Sequence, residues 1–270
     1  MFHKIIQGER IIAFANSVNG IKLFINKSND LKHFAIFQLP DHQGMAGCHR
    51  NLPMNHSAIS ARSFDKVAER YRDKFMDVTR CDDFYREFCQ LLRPGHARVL
   101  DAACGPGNVS RFLMTQRPDL DSLGIDLAPR IVELARETAP SARFAVHDCR
   151  HLADLQLRFD GIICAFGLPY LSKEEAKTFI RAAGDALEPG GALYLSTMLG
   201  ESKNSRLEYC STGDPVYINY HTEEEIIDSL SERGLALFKK SRVPSPSAAA
   251  KPTTDLIVLA KKQPLPPGEA

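Results

Sequence analysis

The run Val99-Leu100-Asp101-Ala102-Ala103-Cys104-Gly105-Pro106-Gly107-Asn108 carries the densest chemical signal in this 270-residue chain. An apolar stretch leads into two glycines. Glycine lacks a Cβ, so a ligand can approach the backbone N–H groups and the chain can take a positive φ. Dinucleotide sites use such a turn, but they ask for a third glycine so that the pyrophosphate rests on the helix N-terminus. Here Ser110 stands at that position and Asp101 precedes the turn. A carboxylate there repels pyrophosphate and attracts the amino group or sulfonium of a zwitterionic cationic ligand.

Two more carboxylates follow in the same way. Asp126 ends Leu123-Gly124-Ile125-Asp126-Leu127, about 20 residues past the glycine turn, where an acidic side chain accepts both hydroxyls of a ribose. Asp148 ends Phe144-Ala145-Val146-His147-Asp148-Cys149. Any one of these aspartates fits a plain helix N-cap. Three successive strand ends in carboxylate, beside a glycine turn, read instead as a ligand site on the edge where open α/β sheets bind.

The elements that must position these groups are an alternation of short apolar runs and helical patterns, the mark of a parallel sheet covered on both faces. Strands are predicted at 97–101, 121–126, 142–146, 159–164 and 191–198, and helices at 107–117, 128–138, 173–187 and 222–233. The tail departs from this rule. Residues 235–242 and 254–261 read as two strands with only a Pro/Ser/Ala-rich loop, 243–253, between them, so they must form an antiparallel hairpin. Ahead of the first strand, Phe64, Val67, Ala68, Tyr71 and Phe75 lie at helical spacing from Ala61 onward. A second helix runs from near Thr79 through Cys81, Phe84, Phe88, Leu91 and Leu92, and stops at Arg93-Pro94-Gly95. Residues 1–57 hold short apolar stretches without a period and are expected to be a poorly ordered extension, with Met54 as an alternative start. The main domain is expected over 58–262, its two leading helices over 60–93, and a frayed tail over 263–270.

These residues resemble class I S-adenosylmethionine-dependent methyltransferases, in particular the small-molecule branch that includes the quinone-biosynthesis enzymes. The likeness runs from about Phe64 to Lys262. Val99 to Gly107 is similar to that family's V-L-D-x-G-C-G-x-G motif, with Ala103 replacing one glycine. Phe159-Asp160-Gly161-Ile162-Ile163-Cys164-Ala165-Phe166 resembles its fourth strand, and Leu187 to Leu193 the glycine turn into its fifth. The resemblance implies a Rossmann-like, doubly wound seven-stranded α/β sheet of order 3-2-1-4-5-7-6, with the seventh strand antiparallel and lid helices in front. It implies S-adenosylmethionine as cofactor, held by Asp101, Ala103, Gly105, Gly107, Asp126, Leu127, Asp148, Cys149, Ala165 and Phe166, with Tyr71 closing over it. Within that set Gly105 and Gly107 would meet the methionine portion and Leu127 the adenine. Asp148 would accept from the adenine amino group, beside the backbone of Cys149.

The acceptor is less legible, because a sulfonium methyl is already a strong electrophile and the enzyme has mainly to align a nucleophile and exclude water. The 199–221 connection leaves the ligand edge carrying Arg206, Tyr209, Tyr217 and Tyr220. With Tyr170 it forms the expected wall for a small, partly apolar substrate. His221, with Tyr220 beside it, is a candidate proton acceptor should the substrate be a hydroxyl, although His221 equally marks a helix start. Gly167-Leu168-Pro169-Tyr170 lacks the Asn or Asp that grips a base amino group, and Cys164 sits inside a strand rather than after a proline, which argues against nucleic-acid bases. Thirty-four basic against 33 acidic residues leave a net charge of +1, too little to draw the chain onto nucleic acid or an anionic membrane. The apolar run Ile162 to Leu168 falls far short of the ~18–20 residues of a membrane span. Seven cysteines without C-x-x-C pairs suit reduced thiols in a cytoplasmic protein. His147, Cys149 and His151 lack a fourth ligand for zinc, so no metal is expected. A nicotinamide oxidoreductase and a non-catalytic module on the same fold stay open as alternatives.

Overall fold

The computed structural model describes residues 56–77, 79–210, 212–244 and 253–263, with the side chains of Lys74 and Phe75 excepted. Most of the expected extension, residues 1–55, lies outside the described residues. So do 245–252 of the tail loop and 264–270 of the tail itself.

Nine strands and seven α-helices make up the described chain. Five strands run parallel: β1 (Arg98–Ala102), β2 (Asp121–Asp126), β3 (Arg143–Val146), β4 (Phe159–Cys164) and β5 (Leu187–Met198). β8 (Leu235–Pro244) and β9 (Thr254–Lys262) complete a seven-stranded sheet of order β3-β2-β1-β4-β5-β9-β8. β9 runs antiparallel to both β5 and β8, so the expected order and the reversed last strand are both present. Chain order reverses at β1 and β4, which are neighbours joined to opposite wings of the sheet, and a crevice opens there at the carboxyl ends.

Helices cover both faces. α6 (Lys173–Ala186) and α7 (Glu223–Ser231) pack Phe179, Ile180 and Leu230 against Leu100, Ile162 and Leu193. On the other face α3 (Asp82–Leu91) and α4 (Asn108–Gln116) pack Phe88 and Leu113 against Val99, Ile163 and Tyr194. α5 (Pro129–Thr138) follows β2 and begins with proline, whose fixed φ suits the first helical turn. α6 and α7 each open with a full capping box, Ser172 with Glu175 and Thr222 with Glu225, stabilising each start by about 1 kcal/mol.

Three expectations are corrected. The first leading helix starts at His56, five residues ahead of Ala61, and breaks at Val67 (φ −113°, ψ 21°) into α1 (His56–Lys66) and α2 (Ala68–Phe75). β5 begins at Leu187 rather than 191, because the glycine turn is drawn into the strand with a register irregularity opposite Phe159 and Gly161. The 199–221 connection is no plain loop: β6 (Arg206–Tyr209) and β7 (Pro215–Ile218) form a separate two-stranded sheet. α1 docks on this hairpin and on the turn after β4 through serines three residues apart. Ser57 Oγ donates to the Tyr170 carbonyl at 2.9 Å and Ser63 Oγ to that of Pro215 at 2.6 Å, while Ser60 Oγ accepts from the Tyr217 N–H at 3.0 Å.

Phe88 ties α3 to the sheet: it is wholly buried, and its ring end and Leu92 occupy the space that a Cβ on Gly161 of β4 would need. Phe88→Ala is expected to lower unfolding stability by about 3–5 kcal/mol. Urea unfolding should show this as a lower midpoint at unchanged m-value.

Candidate functional site

β1 ends in a turn that takes positive φ three times, at Ala103 (55°), Gly105 (54°) and Gly107 (82°). The turn is tied down from its neighbours. Cys104 N–H donates to the Ile125 carbonyl at 2.9 Å, and Gly105 N–H donates to Asp126 Oδ2 at 3.0 Å. Asp126 Oδ1 accepts from the Ala128 N–H, also at 3.0 Å. One carboxylate thus holds the glycine turn and the start of α5 together. Burial pushes the Asp126 carboxyl above its usual range, against the pull of these backbone N–H groups.

Around this carboxylate lies a cleft enclosing about 720 Å³, open space included. Its floor is Ala103, Gly105, Asp126 and Leu127; one side is His147, Asp148 and Cys149; the other is Ala165, Phe166, Gly167 and Tyr170. Ser57, Ser60, Ala61, Phe64 and Tyr71 of α1 and α2 form the roof. The Phe64 ring stands edge-on between Tyr71 (centroids 4.9 Å apart) and Tyr170 (5.0 Å). Burial, with Asp126 and Glu208 nearby, pushes the Tyr170 hydroxyl up to about 12, and burial raises that of Tyr71 well above 10, so both stay protonated donors at neutral pH.

Ten of the residues singled out from the sequence line this cleft, and the others lie elsewhere for identifiable reasons. Asp101 sits behind the turn, 1% exposed. Its Oδ2 accepts from Ser110 Oγ at 2.6 Å, while its Oδ1 is buried with no hydrogen-bond partner. Burial pushes its carboxyl up to about 7, and the charge of Asp126 pushes the same way. Gly107 meets α5 instead of the cleft: a Cβ there would lie 3.1 Å from the Cα and the carbonyl oxygen of Ala135. His221 is buried beneath the turn after β4, its Nε2 3.0 Å from the Leu168 carbonyl. Tyr220 is also buried, packed with Val216, Ile218 and Met198, and Arg206 lies over its ring at 5.5 Å. Tyr217 stacks on His56 at 3.8 Å, and Tyr209 is 69% exposed on the hairpin's outer face. Sequence reading missed Ser57, Ser60 and Phe64 as lining residues. Ser57 fell inside the supposed extension, and a serine on a helix face carries no signal of what it faces. The helical spacing of Phe64 and Tyr71 was the one available clue.

Ala103 stands where the resembled motif has glycine, and it takes the left-handed conformation that glycine adopts freely, at a cost of about 1–2 kcal/mol. Gly167 compensates across the cleft floor. A Cβ on Gly167 would lie 2.8 Å from the Ala103 Cβ and 2.6 Å from Cys164 Sγ, so the methyl of Ala103 occupies room that Gly167 leaves.

Comparison with known proteins agrees with this architecture. Residues 99–191 match the family model described as "Methyltransferase domain". The demethylmenaquinone methyltransferase of Thermotoga maritima is 28% identical over 141 residues, covering 51% of this chain and 61% of that protein. The ubiquinone biosynthesis O-methyltransferase of Xanthomonas axonopodis pv. citri is 37% identical over 112 residues, covering 40% and 45%. The chain thus spans about half the length of the curated relatives it matches. Among solved structures, magnesium protoporphyrin IX methyltransferase from Synechocystis, with bound S-adenosylmethionine, shares the fold at TM-score 0.58 and 20% identity, covering 79% of this chain and 100% of that one. So does 1,6-didemethyltoxoflavin-N1-methyltransferase from Burkholderia thailandensis, at TM-score 0.55 and 20% identity, covering 93% and 99%. The resemblance to class I S-adenosylmethionine-dependent methyltransferases is borne out. Among the described residues no helix is long and apolar enough to cross a membrane.

Two outcomes check the geometry of the floor. Gly167→Ala is expected to lower stability by about 1–3 kcal/mol through overpacking, and adding Ala103→Gly to recover part of that loss, as read by a double-mutant cycle in urea; strict additivity would refute the compensation. Asp101 holds its proton more tightly when folded, since its ordinary value of 3.8 rises to about 7. Its contribution to stability is therefore greatest below the ordinary value and is lost as pH rises towards about 7. The stability difference between wild type and Asp101→Asn should slope through that window and level off above it, whereas a pH-independent difference would contradict the shift.

Proposed function

We propose that this protein transfers a methyl group from S-adenosylmethionine to a small-molecule acceptor. The observation that carries the reading is Asp126: a buried-edge carboxylate clamped by the Gly105 and Ala128 N–H groups, opening into a cleft roofed by Tyr71 and Phe64. The donor set suits a cationic nucleoside. The Asp126 oxygens keep lone pairs for two ribose hydroxyls, Gly105 presents backbone without a Cβ, and Asp148 stands at the far side with Leu127 and Cys149 along the base. Ala165 and Phe166 border the same space.

When bound, S-adenosylmethionine supplies an electrophilic methyl group on sulfur. This chain's own part is to hold the nucleoside, align the acceptor and keep water out. The Phe64, Tyr71 and Tyr170 rings form an apolar wall whose hydroxyls donate hydrogen bonds, which fits a small, partly planar acceptor. The names of the quinone-pathway relatives and of the didemethyltoxoflavin enzyme point the same way. His221 and Tyr220 are buried away from the cleft, so we assign no proton transfer to them. A dinucleotide reading is disfavoured by Ser110, which stands where the third glycine belongs and grips Asp101. We place the reaction in the cytoplasm, in keeping with six free thiols among the described cysteines, and on a small molecule rather than nucleic acid, given the net charge of +1.

Calorimetry with S-adenosylhomocysteine tests the reading directly. Binding is expected, and Asp126→Ala should weaken it at least tenfold, about 1.4 kcal/mol. Folded wild type that ignores S-adenosylhomocysteine but binds NADH would overturn the proposal, and an unaltered affinity in the variant would remove Asp126 from the site.

A further inference from the structure

Asp148 is held by a side chain two residues away. The carboxylate caps the 3-10 segment Cys149–Leu155, its Oδ1 accepting from the Arg150 N–H at 3.0 Å. The Arg150 guanidinium then closes on the same group, with Nε donating to both oxygens at 3.0 Å and Nη2 to Oδ2 at 2.6 Å. Arg150 is itself anchored, because its Nη1 donates to Glu175 Oε1 at 2.7 Å. Glu175 is the residue whose other oxygen accepts from the Ser172 N–H in the capping box of α6. A chain of charge-assisted bonds therefore runs from the start of a core helix to the edge of the cleft, and its members are mostly shielded from solvent.

Such a clamp leaves a definite remainder. An ionised carboxylate offers about four acceptor positions. The Arg150 backbone N–H, the forked Nε–H and one Nη2–H take up most of them and fix the plane of the group. Asp148 meanwhile lines the cleft beside His147 and Cys149. Burial alone would raise its carboxyl, but the bonds from Arg150 outweigh this and hold it below its ordinary value, so it stays an acceptor.

We propose that Arg150 is a positioning residue for base recognition: by clamping Asp148 against α6 it keeps one carboxylate lone pair, ionised and fixed in direction, for the exocyclic amino group of adenine. This rests on the cleft binding an adenosyl ligand, as above. It adds to that reading that the preference for adenine over a 6-oxo purine is set through Arg150. A hypoxanthine base presents a carbonyl oxygen where adenine presents an N–H donor, and a fixed carboxylate repels it.

The experiment is calorimetry on the full chain with two ligands, S-adenosylhomocysteine and S-inosylhomocysteine, for wild type, Arg150→Met and Arg150→Lys. Wild type should prefer the adenosyl ligand at least tenfold. Arg150→Met should reduce that preference to threefold or less, and Arg150→Lys, which keeps the charge but not the fork, should fall between. A residue that merely supports the fold would weaken both ligands alike and leave their ratio unchanged, which overturns the proposal. Equal binding of the two ligands by wild type also overturns it while leaving the methyltransferase reading intact. Wild type that binds neither ligand would count against that reading itself. Should Arg150→Met fail to fold, the ratio for Arg150→Lys decides: a fall supports the clamp, and an unchanged ratio refutes it.

Discussion

The site depends on a pair of hydrogen bonds made by one carboxylate. Asp126 leaves β2 and takes the N–H of Gly105 on one oxygen and that of Ala128 on the other. The first bond sets the glycine turn and the second sets the start of α5. Both partners are backbone groups, so the constraint acts on the path of the chain, and it is satisfied only where β1 and β2 pair in register and finish at the same edge. A buried N–H that lost this acceptor would be left without a partner, and such groups are costly. The sheet topology, the turn conformation and the opening of the cleft are thus consequences of one local arrangement.

Negative charge at this edge is distributed unevenly. Asp126 and Asp148 open to the cleft, whereas Asp101 is sealed behind the turn, where Ser110 Oγ donates to it. Their surroundings push them in opposite directions: burial raises Asp101 and Asp126, while Arg150 holds Asp148 down. Three aspartates that look alike as letters therefore differ as physical groups, two of them hard to ionise and one kept ionised by a partner.

Much of this was legible in the sequence, and what was hidden shares a cause. β2 and β4 have the predicted bounds, β2 because Asp121 and Asp126 bracket its apolar run, and the β8–β9 hairpin followed from the missing helix between its strands. The β6–β7 hairpin was not legible, since Arg206–Tyr209 and Pro215–Ile218 are only four residues each, too short for alternation to show. Nor was the role of Gly107, where a turn glycine turned out to serve close packing on Ala135. His221 and Tyr220 carry chemically versatile side chains, yet the short bridge between Leu199 and His221 draws both inward under the sheet's edge. In each case spacing along the chain identified a residue type at the ligand edge, but the direction of the side chain was decided by a tertiary contact.

The roof helix is fastened partly by ring contacts, His56 on Tyr217 and Phe64 against Tyr170, and partly by three serines whose bonds are indifferent to the side chains they meet. Ser57, Ser60 and Ser63 address the main-chain groups of Tyr170, Tyr217 and Pro215 rather than their side chains. Replacing the side chain at 170 or 217 leaves those three fastenings in place. Because those three bonds end on main-chain atoms, the side chains at 170 and 217 can diversify under selection while the serine seat of the helix over the cleft is kept.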